Sequence, residues 1–354
     1  MKKGLRVIAA VMASAFLLGA CSVKPQEKEE ELELTVFNYS NYINPKVLEI
    51  FTKETGIKVL YEEALTPEDL YTKYKSGAIN YDLVCTSDYM LGRLINEGEL
   101  QKIDFSKLKN KENIGDRYWE FEKSFDPNCE YTVPYFWGTV GILYDTTKVD
   151  KPVDSWDVLF NGQYKGDIIM QNSIRDTYMI ALKYLGYSIN TTNKDEIAKA
   201  QELLIKQRPD VQAYLVDEAR DEVVAGNAAM AVIYSGEAYI GHQDNPDLQY
   251  VVPKEGSNVW IDCFGITKDC KHIEAAHKFL DFLCREDIAD MNFREIYYSS
   301  PNLKVLENLS EEERNDPALV ASDNAISNCE VNVQSDEATA NMYNELWKEL
   351  KAGD

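Results

Sequence analysis

Residues 131–144 have the sequence YTVPYFWGTVGILY, an apolar and aromatic run that contains Pro134, Gly138 and Gly141. A run of this composition suits a strand that leaves one lobe of a protein and enters a second. Predicted strands and helices alternate on both sides of it, and this alternation is typical of sheets with parallel strands. We therefore predict an α/β chain of two lobes, each a mostly parallel sheet flanked by helices.

The spacing of apolar residues predicts the elements of each series. Ahead of the central run, strands are predicted at residues 32–39, 57–61 and 81–85, and helices at residues 45–56, 68–75 and 90–97. After it, strands are predicted at residues 168–170, 228–234, 251–253 and 259–264, and helices at residues 177–185, 194–206, 273–288 and 338–351. The sequence has no internal repeat.

The N-terminal residues are typical of an exported bacterial lipoprotein. A basic head is followed by an apolar run at residues 7–18, too short to span a membrane comfortably, and then by Leu-Gly-Ala-Cys at residues 18–21. This ending resembles a lipobox, so we expect a lipoprotein signal peptide at residues 1–20 and lipidation of Cys21. The alternative is an ordinary secretory signal with an incidental cysteine. Residues 21–31 predict a flexible, lipid-anchored tether, and the expected location is extracytoplasmic.

The chain is strongly acidic, with a formal net charge of −23 that becomes −26 without the three basic residues of the signal peptide. Phosphates would be repelled, so nucleic acid is not an expected partner. The charge is compatible with a cationic ligand, although acidic surfaces also serve simply to keep proteins soluble. Six cysteines follow Cys21 without a C-x-x-C pair, and we expect free, mostly buried thiols.

Signals of catalysis are weak. The chain has three histidines, and the last two, His272 and His277, do not share a helix face. The motifs H-E-x-x-H and G-x-S-x-G and the phosphate-binding loop do not occur in the sequence. We therefore expect no enzyme activity, no cofactor and no metal site.

The predicted strand Val-Trp-Ile-Asp-Cys-Phe, residues 259–264, carries half of a possible ammonium site. Side chains alternate along a strand, so Trp260 and Asp262 lie on the same face. An indole face attracts a cation, and a carboxylate attracts the same cation and accepts its hydrogen bonds. The simpler interpretation is a core tryptophan beside an exposed aspartate.

Further polar and aromatic side chains follow the other predicted strands. In open α/β sheets, ligands bind outside the carboxyl ends of the strands. Those ends repeatedly carry an aromatic ring, a hydroxyl or an acid, in the stretches 38–42, Ser87-Asp88-Tyr89, 135–137, 171–176, 234–237 and 297–301. Together they predict a slot walled by rings, with a few carboxylates along it. Such a slot suits a flexible methylene chain that carries ammonium groups.

The chain resembles the spermidine/putrescine-binding proteins of ABC importers from about Leu34 to the C-terminus. Matching motifs occur in the same order, among them YDLV at residues 81–84, VPYFWG at 133–138, PKEG at 253–256, Trp-Ile-Asp at 260–262 and Ser-Pro-Asn at 300–302. The resemblance implies a type II periplasmic-binding-protein fold whose two lobes close over the ligand. It places the first lobe at residues 32–139 and 257–303, and the second at residues 140–256 and 304–354.

The resemblance also implies a set of ligand-binding residues. The aromatic box of the family falls on Tyr39, Tyr42, Tyr89, Tyr234, Trp260 and Tyr298, although the family often has tryptophan where Tyr39 and Tyr234 stand. Polar contacts fall on Ser40 and Ser87, and the acid that binds the inner amine falls on Asp262. The acidic pair of the second lobe falls on Ser173 and Asp176, so one acid is missing here. A glutamine of the family aligns with Asn332 or, with a small gap, with Gln334.

The function implied is that of an extracytoplasmic polyamine receptor. It would capture spermidine or putrescine between its lobes and deliver it to the permease of an ABC importer, without catalysis. Two alternatives keep the fold, namely a receptor for another organic cation and a ferric-ion binder that uses Tyr297 and Tyr298. A third alternative is an anchored hydrolase whose active site the sequence does not reveal.

Overall fold

The computed structural model describes residues 32–353. The predicted signal peptide, the lipidation of Cys21 and the tether lie outside the described residues. Within residues 32–353, no helix combines the length and the apolar character that crossing a membrane requires. The six cysteines of this range are free thiols, three of them buried and three partly buried.

Ten strands form the sheet in residues 32–353. They are β1 (Glu33–Tyr39), β2 (Lys58–Ala64), β3 (Leu83–Ser87), β4 (Leu100–Gln101), β5 (Thr132–Asp145), β6 (Ile168–Gln171), β7 (Val211–Leu215), β8 (Met230–Tyr234), β9 (Leu248–Val251) and β10 (Val259–Thr267). Their order is β2-β1-β3-β10-β5-β8-β6-β7, with β4 paired to β10 and β9 paired to β5.

Strand β5, which lies within the apolar and aromatic run of the sequence, joins two halves of this sheet. Residues Thr132 to Thr139 pair with β10, and residues Val140 to Tyr144 pair with β8. Every residue of β5 is buried. The strand that passes between two sheet halves is thus confirmed, while the full lobe boundaries stay a prediction.

Each half contains parallel strands on its outer side and antiparallel strands toward the middle. In the first half, β1 pairs parallel with β2 and β3, and in the second half, β6 pairs parallel with β7 and β8. The central strands β5 and β10 run antiparallel to their neighbours. This arrangement brings the ends of β1, β3 and β8 toward the middle of β10.

Fourteen α-helices cover the sheet in the described range. They are α1 (Pro45–Thr55), α2 (Pro67–Ser76), α3 (Asp88–Asn96), α4 (Asp116–Glu122), α5 (Ile174–Tyr184), α6 (Lys194–Gln207), α7 (Glu218–Val224), α8 (Ser235–Asp244), α9 (Ile273–Leu283), α10 (Glu286–Ile296), α11 (Leu303–Glu307), α12 (Glu311–Asn315), α13 (Asp323–Ile326) and α14 (Glu337–Lys351). Short 3-10 helices lie at Phe105–Lys107, Lys109–Asn113, Trp156–Leu159 and Arg208–Asp210.

The predicted single helix at residues 273–288 is wrong, because the structure divides it into α9 and α10. Arg285 has an extended backbone between them, with φ −65° and ψ 143°. The carbonyl of Cys284 instead accepts hydrogen bonds from the side chains of Asn113 and Asn302, at 3.0 and 2.9 Å. The apolar spacing continues across the break, so the sequence pattern did not indicate two separate helices.

Candidate functional site

Strand β10 carries Trp260 and Asp262 in the middle of the sheet. In the pairing register, Asp262 lies opposite Ser87 of β3, and Trp260 lies opposite Gly138 of β5. Both side chains are buried, with 8% of Trp260 and 7% of Asp262 exposed. The simpler interpretation of the sequence, a core tryptophan beside an exposed aspartate, is therefore wrong.

Asp262 has one strong hydrogen-bond partner, Tyr42. The Tyr42 hydroxyl donates to Oδ2 of Asp262 at 2.6 Å, and the Tyr135 hydroxyl donates to the Tyr42 carbonyl at 2.8 Å. Burial raises the pKa of Asp262 to about 7, and the Tyr42 hydrogen bond opposes that rise. The site thus holds a carboxyl group that gains from a nearby positive charge.

A second buried carboxyl group, Asp176, lies in the first turn of α5 with 4% of its surface exposed. The Tyr234 hydroxyl donates to Oδ2 of Asp176 at 2.8 Å. Ser173 is the N-cap of the helix, and its Oγ accepts the backbone N–H of Asp176 at 3.4 Å. Burial raises the pKa of Asp176, and hydrogen bonds from Ser173 and Tyr234 oppose the rise.

Four rings connect the two carboxyl groups, and we call Tyr234, Trp260, Tyr298 and Tyr42 the aromatic row. The ring centroids lie 6.2 Å apart from Tyr234 to Trp260, 5.2 Å from Trp260 to Tyr298 and 5.8 Å from Tyr298 to Tyr42. All three contacts are edge-to-face, the geometry that aromatic pairs prefer. Because Tyr234 bonds Asp176 and Tyr42 bonds Asp262, a continuous row of rings joins one acid to the other.

Two glycines make room for the aromatic row. A Cβ on Gly138 would lie 2.4 Å from Cζ2 of Trp260, and a Cβ on Gly236 would lie 1.7 Å from Cδ1 of Tyr298. Such distances are far inside van der Waals contact, so any larger residue would displace the rings. Gly236 lies in the first turn of α8, directly after the end of β8.

Two buried polar atoms beside the row have no hydrogen-bond partner within residues 32–353. They are Nε1 of Trp260 and Oγ of Ser87. Buried polar atoms are nearly always paired, and leaving one unpaired costs about 1–3 kcal/mol. Ser87 lies opposite Asp262 in the strand register, and Trp260 lies two residues before Asp262 on β10, so a polar ligand in this region would find both atoms as partners.

Tyr39 is a further predicted site residue, and it lies beside the aromatic row. The Tyr39 ring lies 5.5 Å from the Tyr42 ring, and its hydroxyl bonds Thr86 Oγ1 at 2.9 Å and accepts the Ser87 N–H at 3.2 Å. Ser40 is half-buried at the end of β1, and its N–H donates to the Ala64 carbonyl.

Tyr89 follows Ser87 by two positions, in the first turn of α3. Its hydroxyl donates to Glu68 at 2.9 Å, and the Arg175 guanidinium lies 4.2 Å from its ring centre. Arg175 in turn donates to the Val333 carbonyl at 3.1 Å. Arg175 thus links the Tyr89 ring to the C-terminal segment. Although Arg175 lies in the stretch 171–176, it was not among the predicted site residues.

The two candidates near the C-terminus differ in environment. Asn332 is buried, with 6% of its surface exposed. Gln334 is exposed, and its Oε1 accepts a hydrogen bond from Asn96 at 3.1 Å. This difference favours Asn332 as the ligand contact, and the assignment stays a prediction.

Asp88, which follows Ser87 at the start of α3, was also missed as a site residue. Asp88 is 1% exposed, although aspartate is among the residues least often buried. Its position between two selected residues was the signal that could have identified it.

Comparisons with known proteins agree with this architecture. Residues 46–321 match the family model of the bacterial extracellular solute-binding proteins. The spermidine/putrescine-binding periplasmic proteins of Salmonella typhimurium and Escherichia coli are each 37% identical to this chain, with 100% of both sequences covered.

The chain is also similar to a solved structure, that of the substrate-binding protein PotD of a spermidine/putrescine ABC transporter from Streptococcus pneumoniae. It aligns with a TM-score of 0.83 and 35% identity, over 91% of this chain and 99% of that one. The predicted fold class, a two-lobe periplasmic-binding-protein fold, is thereby confirmed. The chain belongs to the family of bacterial extracellular solute-binding proteins.

Proposed function

We propose that this protein is an extracytoplasmic receptor for spermidine or putrescine that delivers its ligand to the permease of an ABC importer. One observation carries the proposal, the aromatic row that connects the buried carboxyl groups of Asp262 and Asp176. Relatives that cover the whole chain bear the names of spermidine/putrescine-binding proteins, and they support the same ligand.

The chemistry of a polyamine fits this arrangement along its length. Its methylene groups pack on the ring faces, and its ammonium groups pair with the carboxylates at each end. Each cation–π contact contributes about 0.5–2 kcal/mol, and micromolar affinity requires about 8 kcal/mol. A few such contacts and two charge pairs are enough to supply it.

The ligand would also hold the two sheet halves together. Asp262 and Tyr42 belong to the first half, whereas Asp176 and Tyr234 belong to the second. A polyamine bound to both acids therefore favours the closed arrangement of the lobes, because only that arrangement provides every contact. The importer then recognises the closed form, and the receptor performs no chemical step. Lipid anchoring through Cys21, supported by the Leu-Gly-Ala-Cys stretch, would keep the receptor at the membrane.

Isothermal titration of the protein without residues 1–20 tests the ligand. Spermidine or putrescine should bind with a one-to-one stoichiometry and micromolar or tighter affinity. Cadaverine and arginine serve as cationic comparisons. Tighter binding of a comparison cation than of both polyamines would support the alternative of another organic cation and overturn this proposal.

The ferric-ion alternative is disfavoured by the surroundings of the two tyrosines. Tyr297 packs against Tyr239 at 5.5 Å, whereas Tyr298 belongs to the aromatic row. Burial holds the pKa of Tyr298 well above its usual value, so forming a tyrosinate there is costly. A ferric complex would show a visible charge-transfer band upon addition of Fe³⁺.

Polyamine affinity should fall as the pH is lowered through 7. The amines of the ligand stay protonated, but Asp262 of the unliganded protein, with a pKa of about 7, takes up a proton. An ammonium binds the carboxylate form, so binding must release that proton, and affinity should drop about tenfold between pH 7.5 and pH 6. Titrations with putrescine across this range in wild type and in Asp262→Asn check the prediction. An equally steep pH dependence in the variant would show that Asp262 is not the titrating group.

Gly236→Ala should weaken polyamine binding about tenfold, because the new methyl group displaces the Tyr298 ring from the row. Gly241→Ala on the same helix is the matched control. Its nearest neighbour would be a flexible Leu143 methyl group at 3.2 Å, far less tight than the Tyr298 contact. Titration calorimetry of both variants measures the effect, and equal affinities would contradict the role of the Tyr298 position.

A further inference from the structure

Asp88 is a buried carboxyl group to which the proposed function, as described so far, gives no role. Its Oδ1 accepts the N–H of Tyr89 at 2.7 Å, whereas its Oδ2 is buried and has no partner among the described residues. Only 1% of its surface is exposed. Burial holds its pKa well above the usual range, the Tyr89 N–H opposes this, and the charges of Asp262 and Asp176 raise it further.

Both chain neighbours of Asp88 lie close to elements that carry the two acids already described. Ser87, its preceding residue, lies directly opposite Asp262 in the pairing of β3 with β10. The ring of Tyr89, its following residue, lies 4.2 Å from the guanidinium of Arg175, which directly precedes Asp176. Asp88 thus lies in the chain between a residue paired with Asp262 and a residue in contact with the start of α5, and it is close enough to both acids for their charges to raise its pKa.

The start of a helix alone does not account for this residue. An acid in the first turn of α3 interacts favourably with the helix dipole, and an exposed acid does so without a desolvation cost. Asp88 instead keeps an unpaired oxygen out of water beside two other carboxyl groups. An isolated buried carboxylate is so unfavourable that the group keeps its proton until a cation arrives.

Arg175 is the nearby cation, and it does not balance the three acids. Its guanidinium covers the Tyr89 ring and donates to the Val333 carbonyl and to Ser335 Oγ. Asp88, Asp176 and Asp262 together could carry three negative charges against this single positive one. Full ionisation of the cluster therefore requires additional positive charge from a ligand.

We propose that Asp88 is a third ammonium-binding group, which makes the site selective for a triamine over a diamine. This inference rests on the proposed function and extends it. Spermidine carries three ammonium groups, one for each carboxyl group, whereas putrescine carries two. In the unliganded protein the Asp88 carboxyl group holds a proton, and on triamine binding this proton passes to the buffer while the carboxylate pairs with the third ammonium. With putrescine, Asp88 keeps its proton.

The Asp88→Asn variant tests this assignment by titration calorimetry with spermidine and with putrescine. Asparagine has the shape of the neutral acid but cannot become an anion. We expect spermidine affinity to fall at least about tenfold and putrescine affinity to stay within about threefold of wild type. Repeating the titrations in buffers of different ionisation enthalpy counts the protons released. The number of protons released on spermidine binding should fall in the variant, whereas the number released on putrescine binding should not change.

Glu122→Gln is the matched control. Glu122 is also fully buried, its pKa is also raised by burial, and its Oε2 also lacks a partner in the described part of the chain. Glu122 accepts a hydrogen bond from Thr132 rather than from the aromatic row. The affinities for spermidine and putrescine, and the proton release with each, should therefore stay at the wild-type values. Asp88→Ser provides a second variant, with thermal unfolding to show that each protein is folded.

The outcomes separate this inference from the proposed function. If the wild type binds polyamines and both Asp88 variants keep the same selectivity and proton release, the role of Asp88 is overturned and the proposed function is not affected. An equal loss for spermidine and putrescine would overturn the triamine selectivity. Failure of the wild type to bind either polyamine would overturn the proposed function and this inference with it.

Discussion

Asp262→Asn should weaken spermidine and putrescine binding at least about tenfold and, at pH 8, should make the unliganded protein more stable. The loss of affinity follows from the geometry of the site. Asp262 is buried and receives a short hydrogen bond from Tyr42, so a ligand ammonium pairs with it away from water. Asparagine keeps an oxygen for the Tyr42 hydroxyl but removes the charge.

The sign of the stability change follows from the raised pKa of Asp262. The folded-state pKa of Asp262 is raised from 3.8 to about 7, so the unliganded folded protein binds this proton more tightly than the unfolded chain does. Folding stability is therefore lost as the pH rises from about 4 to about 7, by up to about 4 kcal/mol from this one group. The neutral amide of the Asp262→Asn variant would carry no such loss, and the two proteins should have equal stability near pH 4.

Chemical denaturation at pH 4 and pH 8, with titration calorimetry at pH 8, measures both effects. Tyr42→Phe is a useful comparison, since it removes the hydrogen bond and keeps both the ring and the carboxyl group. It should weaken binding less than Asp262→Asn. A variant with full affinity, or with lower stability than wild type at pH 8, would contradict the role assigned to Asp262.

Local sequence signals were sufficient for the elements with strong patterns. The helix predicted at residues 45–56 corresponds to α1, in which the Asn44 side chain accepts the Lys46 N–H and Gly56 has φ 72°. Strand β7 was missed because it is short and half-exposed, without regular alternation. Helix α8 was missed because buried residues occur around most of its circumference, so no apolar stripe marks it.

The candidate site was less predictable, because its geometry depends on pairing between distant strands. Trp260 and Asp262 could be placed on one face from the period of a strand. The row that joins Asp262 to Asp176 depends on the approach of Tyr298 to Gly236, residues 62 positions apart. Asp88 was not among the predicted site residues, because the residue type alone does not indicate that a side chain is buried. Its closeness to Asp262 follows from the register of Ser87, the preceding residue, opposite Asp262.

Trp260→Ala should cost at least about tenfold in polyamine affinity and about 3–5 kcal/mol in the free energy of unfolding. Trp260 is the ring through which Tyr234 and Tyr298 are connected, with centroids 6.2 and 5.2 Å away. Its removal therefore interrupts the aromatic row at its middle and takes away a ring face for the methylene groups. It also leaves a cavity beside Gly138, where the close approach of the indole would otherwise fill the space.

A loss of affinity after such a change could reflect general destabilisation, and Trp137→Ala separates the two effects. Trp137 is buried in the neighbouring strand β5, but it packs against Tyr118 and Phe121, at 5.3 and 5.9 Å, rather than against the row. Both variants should lose similar stability in chemical denaturation, and only Trp260→Ala should lose affinity in titration calorimetry. Trp260→Phe should recover part of the binding, since a smaller ring still covers methylene groups. If Trp137→Ala weakens binding as much as Trp260→Ala does, the aromatic row is a feature of the core and the ligand lies elsewhere.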